Sequence, residues 1–514
     1  MQVVSTQFAQ LAAGELRPLS WYLGVSFDKT FDDDVTFFIL NTSVLDGVDL
    51  LAPSSDNPIQ QWDFYKYLPF SDRVQMVEWS REIEFPHSVT SAMADFTLEN
   101  HDDYFTPNSG SPIDEFILPK RPLRIQSGFN GENIPQFVGL TEKMPVIDDG
   151  TKTASFHAID FLSKLYLMPI NNTIAMAQVR TGDVLASLFE QMGLTPDQYS
   201  IPMGTNRIPF VFFERGTLAG DVIRQLMQAE MGNLWLDEQG IIQMQPRFET
   251  FQSATIALDE TNIVSIQGTD DDDIINTVKI TADLREVQAY QQIYLKATGA
   301  DLFVIAAGDT RTFSADLADP VVSAVEPVNG VAVGVSWFTA TLPDGTAVPA
   351  GVTVLSSEIR TNSFDIVFQN TNGFDVNIDE MEIWGEPAKV VDRIEYTETD
   401  DASIEKFEEK LIEINNPFIQ SISQCDSLAL AILDGYAVFA GRLQIELKGS
   451  PAYQLGDVVS VNYRNYVGDY RIVKTYNRIQ NGKYTQVLDV RKYTAREWFV
   501  LDYSPLDGTA VLTP

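Results

Sequence analysis

Short alternations of apolar and polar residues run through most of the chain. VTFFIL (35–40), ADFTLEN (94–100), RPLRIQ (121–126) and ASFHAIDF (154–161) mix β-branched and aromatic residues between turn signals, which predicts strands. Asp149-Gly150 and Asn481-Gly482 mark the sharpest hairpins, because both dipeptides tolerate positive φ. Helical spacing is rarer. TGDVLASLFEQMG (181–193) puts Val184, Leu185, Leu188 and Met192 on one face, with Thr181 as the expected N-cap and Gly193 as the stop. AGDVIRQLMQAEMG (219–232) does the same with Val222, Ile223, Leu226 and Met227, ending at Gly232. A third helix is expected to span 419–439.

Two internal echoes organise these elements. The two helices share Gly-Asp-Val, a Leu four residues later and a Met-Gly end, and a strand-like stretch follows each, so 171–250 reads as a pair of αβ units. Two units are too few for a solenoid. At longer range, 121–161 and 453–493 present the same order of parts. Each has a strand, a turn, an aromatic-bearing strand, an Asp-Gly or Asn-Gly hairpin followed closely by Lys, and a strand ending near an Asp. Both read as the later strands of small antiparallel barrels or sandwiches. The stretch 291–390 is rich in Ala, Val, Thr, Gly and Pro and reads as an inserted β-sandwich, and 397–410 as a charged return into the main body.

The expected fold is mainly β with a small α/β part. It has two similar antiparallel β-barrel or tube-like domains, an αβ-repeat domain and an inserted β-sandwich. The expected boundaries are 1–90 for a β-rich segment, 91–170 for the first barrel and 171–270 for the αβ repeat. The second barrel with its helix takes 271–290 plus 396–500, the sandwich 291–395 and a tail 501–514.

Composition narrows the function classes. At 514 residues the chain has room for roughly three to four domains. Apolar residues make up 44% and charged residues 21%, as in a folded protein. A net charge of −37 argues against general phosphate-backbone binding, which relies on Lys and Arg. One Cys excludes a disulfide framework and any Cys-based zinc site. No apolar run approaches the ~18–20 residues of a membrane helix, and the first residues lack the charge and apolar core of a secretory signal. The charge is uneven: 441–500 carries ten Lys/Arg against five Asp/Glu, so this basic segment is expected to meet an acidic surface, its own or a partner's.

No residue is assigned to catalysis, to a cofactor or to a metal. Asp270 to Asp273 and Asp32 to Asp34 read as solvated turns, since consecutive strand residues point to opposite faces and cannot converge on a cation. His101-Asp102-Asp103 reads as a polar turn, because no Ser or Cys motif accompanies it. His157 is expected to pair with Asp160, and Cys425 to sit in a core. His87 completes the histidines. Trp62, Phe64, Tyr65 and Tyr67 read as packing or interface aromatics.

The ordered series ADFTLENHDDYFTP (94–107), LPKRPLRIQSGF (118–129) and FVGLTEKMPVIDDGTKTASFHAIDFLSKL (137–165) resembles the hub proteins at the tail tip or baseplate of long-tailed bacteriophages. RTGDVLASLFEQMGL (180–194) and 216–247 resemble the αβ pair of those hubs, 414–433 the helix before their last barrel, and 447–463 with 470–490 that barrel. The N-terminal ninety residues and the 291–395 insert depart from the pattern.

The resemblance implies a structural virion protein and no enzyme. It implies a homotrimer at the distal tail end, in which three chains of two barrels present six similar units. A threefold tip then meets a sixfold tail tube around the DNA-exit channel. The implied partners are the tail tube or distal tail protein ring, the tape measure protein, and a central fibre, spike or receptor-binding proteins. DNA passes without specific binding, and there is no stable membrane insertion. Acidic side chains are expected to line the channel and let DNA slide. The implied place is the virion tail tip, assembled in the host cytoplasm. The alternative is an adhesin whose 291–395 module binds cell-surface carbohydrate, or a wall-degrading tail protein.

Overall fold

The computed structural model describes residues 2–13, 17–28, 66–83, 88–170, 174–247, 254, 256–269, 274–297, 299, 302–324, 338–342, 344–348, 350–438, 441–493, 498–499 and 511–512. The expected strand at 35–40, both acidic runs, Trp62, Phe64, Tyr65 and His87 lie outside these residues. The chain is mainly β.

Helix α1 (Thr6–Ala13) packs Phe8 on Phe129, ring centroids 5.1 Å apart. The first unit follows: β1 (Leu19–Val25), β2 (Val74–Glu82), β3 (Met93–Glu99), β4 (Pro122–Phe129), β5 (Glu132–Thr141), β6 (Val146–Asp148) and β7 (Thr153–Asp160). Their order in space is β2-β3-β7-β5-β4-β1, all antiparallel, with β6 also on β7. Alternation decides which face is covered. Ala154, Phe156 and Ala158 are buried while Ser155, His157 and Ile159 stay half-buried. Phe156 stacks on Phe96 at 4.9 Å, and Trp79, Phe105 and Phe137 fill the same core.

The hairpin chemistry differs in one place from expectation. Asn481 and Gly482 take φ of +54° and +71°, as a type I′ turn needs. Asn130 and Gly131 do the same between β4 and β5, at φ of +54° and +88°, at the turn expected between the first two strands of 121–161. At Asp149-Gly150 the left-handed residue is instead Lys152, φ +54°. The cause is Asp148, whose Oδ1 accepts from the Gly150 and Thr151 amides and widens the turn.

Helix α2 (Phe161–Tyr166) leads into the αβ pair: β8 (Ile174–Arg180), α3 (Thr181–Gln191), β9 (Arg207–Phe213), α4 (Ala219–Glu230), β10 (Asn233–Leu236) and β11 (Ile242–Gln245). Val184, Leu185, Leu188, Val222, Ile223, Leu226 and Met227 are buried, as the spacing required. The shared Gly has a packing cause: a Cβ on Gly182 would lie 2.1 Å from the Pro202 carbonyl oxygen, and one on Gly220 2.7 Å from the Tyr166 Cβ. Two caps differ from expectation. Thr181 is the first helical residue, and the Asp183 carboxylate caps α3 by accepting from the Arg180 amide at 3.1 Å. Helix α4 turns left-handed at Met231, φ +53°, and the expected stop, Gly232, instead lets the Gln245 carbonyl pass close, where a Cβ would lie 2.7 Å from it.

The chain then lays down β12 (Ile256–Leu258) and β13 (Ile263–Thr269) before leaving for β14 (Thr277–Val287). The sandwich strands are β15 (Gln291–Lys296), β16 (Phe303–Ile305), β17 (Thr310–Asp316), β18 (Val321–Ala324), β19 (Phe338–Thr341), β20 (Val352–Ile359), β21 (Ser363–Asn370) and β22 (Val376–Thr399). One sheet gathers β15, β16, β18 and β19 along β22, the other runs β17-β21-β20, and Phe338, Phe364, Phe368, Ile366 and Ile378 fill the space between. Strand β22 is 24 residues long and continues out of the sandwich to pair β14 over eleven residues. Next come α5 (Asp401–Phe407), β23 (Leu411–Asn415) and α6 (Ile422–Tyr436). Helix α6 starts at Ser421, whose Oγ accepts from the Gln424 amide, so it is shorter at both ends than the expected 419–439. The chain closes with β24 (Arg442–Leu447), β25 (Val458–Tyr463), β26 (Tyr466–Gln480) and β27 (Lys483–Lys492).

The sheets divide the chain differently from the expected boundaries. Strands β1 and β2, placed in a separate 1–90 segment, belong to the first unit. Strands β12 and β13, placed in the αβ repeat, stand in one sheet with β24 to β27. Conversely β14, β23 and α6, placed in the second barrel, pack on the αβ pair in one core with Leu188, Leu226, Val278, Ile414 and Leu428.

Candidate assembly interface

The second unit reproduces the first strand for strand. In chain order its members are β12, β13, β24, β25, β26 and β27, and in space they run β13-β24-β27-β26-β25-β12. With β5 and β6 counted together as the counterpart of the single long β26, both units place their strands second-third-sixth-fifth-fourth-first. The correspondence reaches single residues. The β2–β3 ladder starts at Val74 opposite Leu98 and shifts register before Met76; the β13–β24 ladder starts at Ile263 opposite Leu447 and shifts before Ser265. A shared bulge of this kind fixes register. One pair differs: β1 runs antiparallel to β4, whereas β12 runs parallel to β25.

The two units join edge to edge. Strand β2, second in the first unit, pairs antiparallel with the later half of β26, fifth in the second, from Lys474 opposite Glu82 to Gln480 opposite Met76. This makes one 14-stranded sheet. Charge closes the seam. Lys474 Nζ lies 2.5 Å from Glu82, Arg478 Nε 3.6 Å from Glu78, and the Tyr476 hydroxyl donates to Glu78 at 2.6 Å. Burial, then donation to that carboxylate, pushes the Tyr476 hydroxyl up to about 12. Part of the basic C-terminal segment thus meets acids of its own chain. On the covered face Trp79 stacks on Tyr484 at 6.2 Å, and Tyr484 donates to Asn477 at 2.7 Å.

Two edges are left. Strand β13 is equivalent to β2, and among the described residues it pairs with β24 alone. Strand β6 is equivalent to the later half of β26 and pairs with β7 alone. Glu142 to Pro145 separate it from β5, where β26 runs on unbroken.

The uncovered face carries rows of polar residues across the seam. One row is Gln267, Gln444, Asp489, Lys474 and Glu82; another is Thr485, Arg478, Glu78, Asp95 and His157. His157 Nδ1 lies 2.7 Å from Asp95, so its partner is on the neighbouring strand. The expected partner, Asp160, points to the other face and is buried. Its carboxylate accepts from the Ala92 amide at 2.7 Å and the Ser163 amide at 3.3 Å, capping α2. Burial outweighs these donors and the charge of Arg81, lifting the Asp160 carboxyl to about 7. The folded state therefore holds a proton there that the unfolded chain releases near pH 4, and stability is expected to fall as pH rises through about 4 to 7. Asp160→Asn should flatten that slope in urea titrations at stepped pH, changing stability by less than about 1 kcal/mol at pH 4, where the natural carboxyl is neutral, and leaving the variant the more stable protein at pH 7. An unchanged slope would refute this.

The remaining candidates have structural roles. Asp102 makes a bidentate contact with Arg73, both oxygens at 2.8 Å, and the guanidinium holds that carboxyl down to about 2. Asn100 ties the rest of the turn through the Phe105 amide and Thr106. Cys425 is buried in α6, where burial pushes its thiol up to about 11. The Tyr67 ring receives the Arg124 guanidinium at 4.5 Å. Among the described residues no group of His, Cys, Asp and Glu converges as a metal site. Sequence reading missed Glu78, Trp79 and Tyr476; only the charge asymmetry hinted at the seam.

No family model matches the chain, and no curated protein does. Among solved structures it is similar to the 43 kDa tail protein of prophage MuSo2 from Shewanella oneidensis, with 10% identity, 83% of this chain and 95% of that chain covered, and a TM-score of 0.45. The tail protein from Neisseria meningitidis MC58 gives 10%, 83%, 94% and 0.45. Prophage tail protein gp18 from Listeria monocytogenes EGD-e gives 12%, 84%, 94% and 0.38.

Proposed function

We propose that this chain is a structural hub of a bacteriophage tail tip or baseplate, acting as a homotrimer without catalysis. One observation carries the reading: the same six-stranded unit occurs twice and is fused edge to edge. Three such chains present six equivalent units, which lets a threefold tip seat on a sixfold tube. The ordered motifs of 94–165, 180–247 and 447–490 support the same reading. The tube end or distal ring and the tape measure protein are partners on one side, and a fibre, spike or receptor-binding protein on the other.

In the ring the uncovered sheet face lines the DNA-exit channel. This face carries acids and bases together. Around the seam Glu78, Glu82, Asp95 and Asp489 stand among Lys474 and Arg478, whereas Arg442, Arg491 and Arg471 stand opposite one another in a row, with Arg491 held by the Gly435 carbonyl at the end of α6. At the seam, acids beside each cation weaken its hold on phosphates.

Light scattering of the full chain at several concentrations tests the reading. The expected mass is three times the 57.4 kDa chain. A dimer, tetramer or monomer at every concentration overturns the threefold hub.

A further inference from the structure

The seam inside the chain specifies the seam between chains. We infer that neighbouring copies join head to tail by antiparallel pairing of β13 with β6 of the next copy, Gln267 opposite Asp148 and Gly268 opposite Ile147. This rests on the trimeric reading and adds its interface.

The register follows from the ladders. Gln267 stands opposite Gln444 as Glu78 stands opposite Asp95. Asp148 stands opposite Thr153 as Arg478 stands opposite Thr485. Glu78 and Arg478 face each other within the chain, so Gln267 and Asp148 face each other between chains. The same substitution sets Gly268 against Ile147, where the internal seam sets Trp79 against Asn477. A large side chain meets a smaller one at both seams, with the order reversed.

Three further features suit these edges to a second copy. Each offers a row of backbone donors and acceptors with no strand beside it among the described residues, and such edges seek a strand. Val146 and Val264 flank them at 71% and 51% exposure. The contact joins two different edges, so it is heterologous and propagates until it closes into a ring.

Paired cysteines in the full chain test the register, with Cys425→Ser removing the native thiol. Opposed residues on antiparallel strands lie ~4.5–5.5 Å apart at Cα, within disulfide reach. Asp148→Cys with Gln267→Cys is expected to give covalent dimers and trimers on mild oxidation, and neither single variant should form a trimer. Asp148→Cys with Val264→Cys, three residues out of register, should cross-link at least tenfold less. Because Asp148 also orders its turn, amide exchange on the natural chain is the second measurement. Amides of 146–148 and 263–269 should exchange more slowly in the trimer than in diluted monomer. A light-scattering trimer with no in-register cross-link and fast exchange at both edges overturns the register and leaves the hub reading standing. A monomer at every concentration overturns both.

Discussion

Arg81→Met is expected to lower the unfolding free energy by about 3–5 kcal/mol, the usual cost of stripping one partner from a buried ion pair. Arg81 lies on β2 and is buried, as is Glu238 in the turn between β10 and β11; Nη1 and Oε1 are 2.5 Å apart. The pair holds more than itself. Arg81 Nη2 donates to the Gln136 carbonyl on β5 at 2.7 Å, and Gln454 of the second unit donates to the other Glu238 oxygen at 2.6 Å. Two charges thus pin both six-stranded units and the αβ pair together. Removing Arg81 leaves a buried carboxylate with one amide donor. Replacing both residues, Arg81→Met with Glu238→Met, removes both charges and should cost at least 1 kcal/mol less than the sum of the single changes. Urea unfolding of the four proteins measures the coupling; strict additivity would show that the pair does not act as one.

Trp79→Ala should cost about 3–5 kcal/mol, as large aromatic truncations in cores do. Trp79 is 2% exposed and stands where β2 meets β26. Its loss empties the space against Tyr484, whose hydroxyl helps hold Asn477 on the facing strand together with Gln486. Trp79→Phe keeps most of the contact and should cost less than half as much. Denaturant midpoints give the ranking. A loss below 1 kcal/mol for the alanine variant would mean that the seam stands on its backbone and charges alone.

Helix spacing made the αβ pair legible, and the Gly-Asp-Val echo proved to mark two helix starts pressed against neighbouring backbone. The later strands of both units were legible because each hairpin is local. The earlier strands of the second unit were hidden, since the chain leaves β13 for the whole insert before returning to β24. The seam was hidden for the same reason: Glu78 and Tyr476 are 398 residues apart. His157 was given the wrong partner because a carboxylate three residues along a strand points away from it, whereas Asp95 stands directly across. At the insert, composition suggested a boundary at 395–396, but hydrogen bonding carries one strand through it.

That strand has a mechanical consequence. The sandwich is not tethered by a loop at this end; β22 runs from its core straight into the ladder with β14, eleven residue pairs long. Because β14 also runs on into the sandwich at β15, a pull there is carried along two paired strands at once, and no rung is opened like a zipper. Tension applied at the insert would therefore reach the body of the protein through a stiff two-stranded arm.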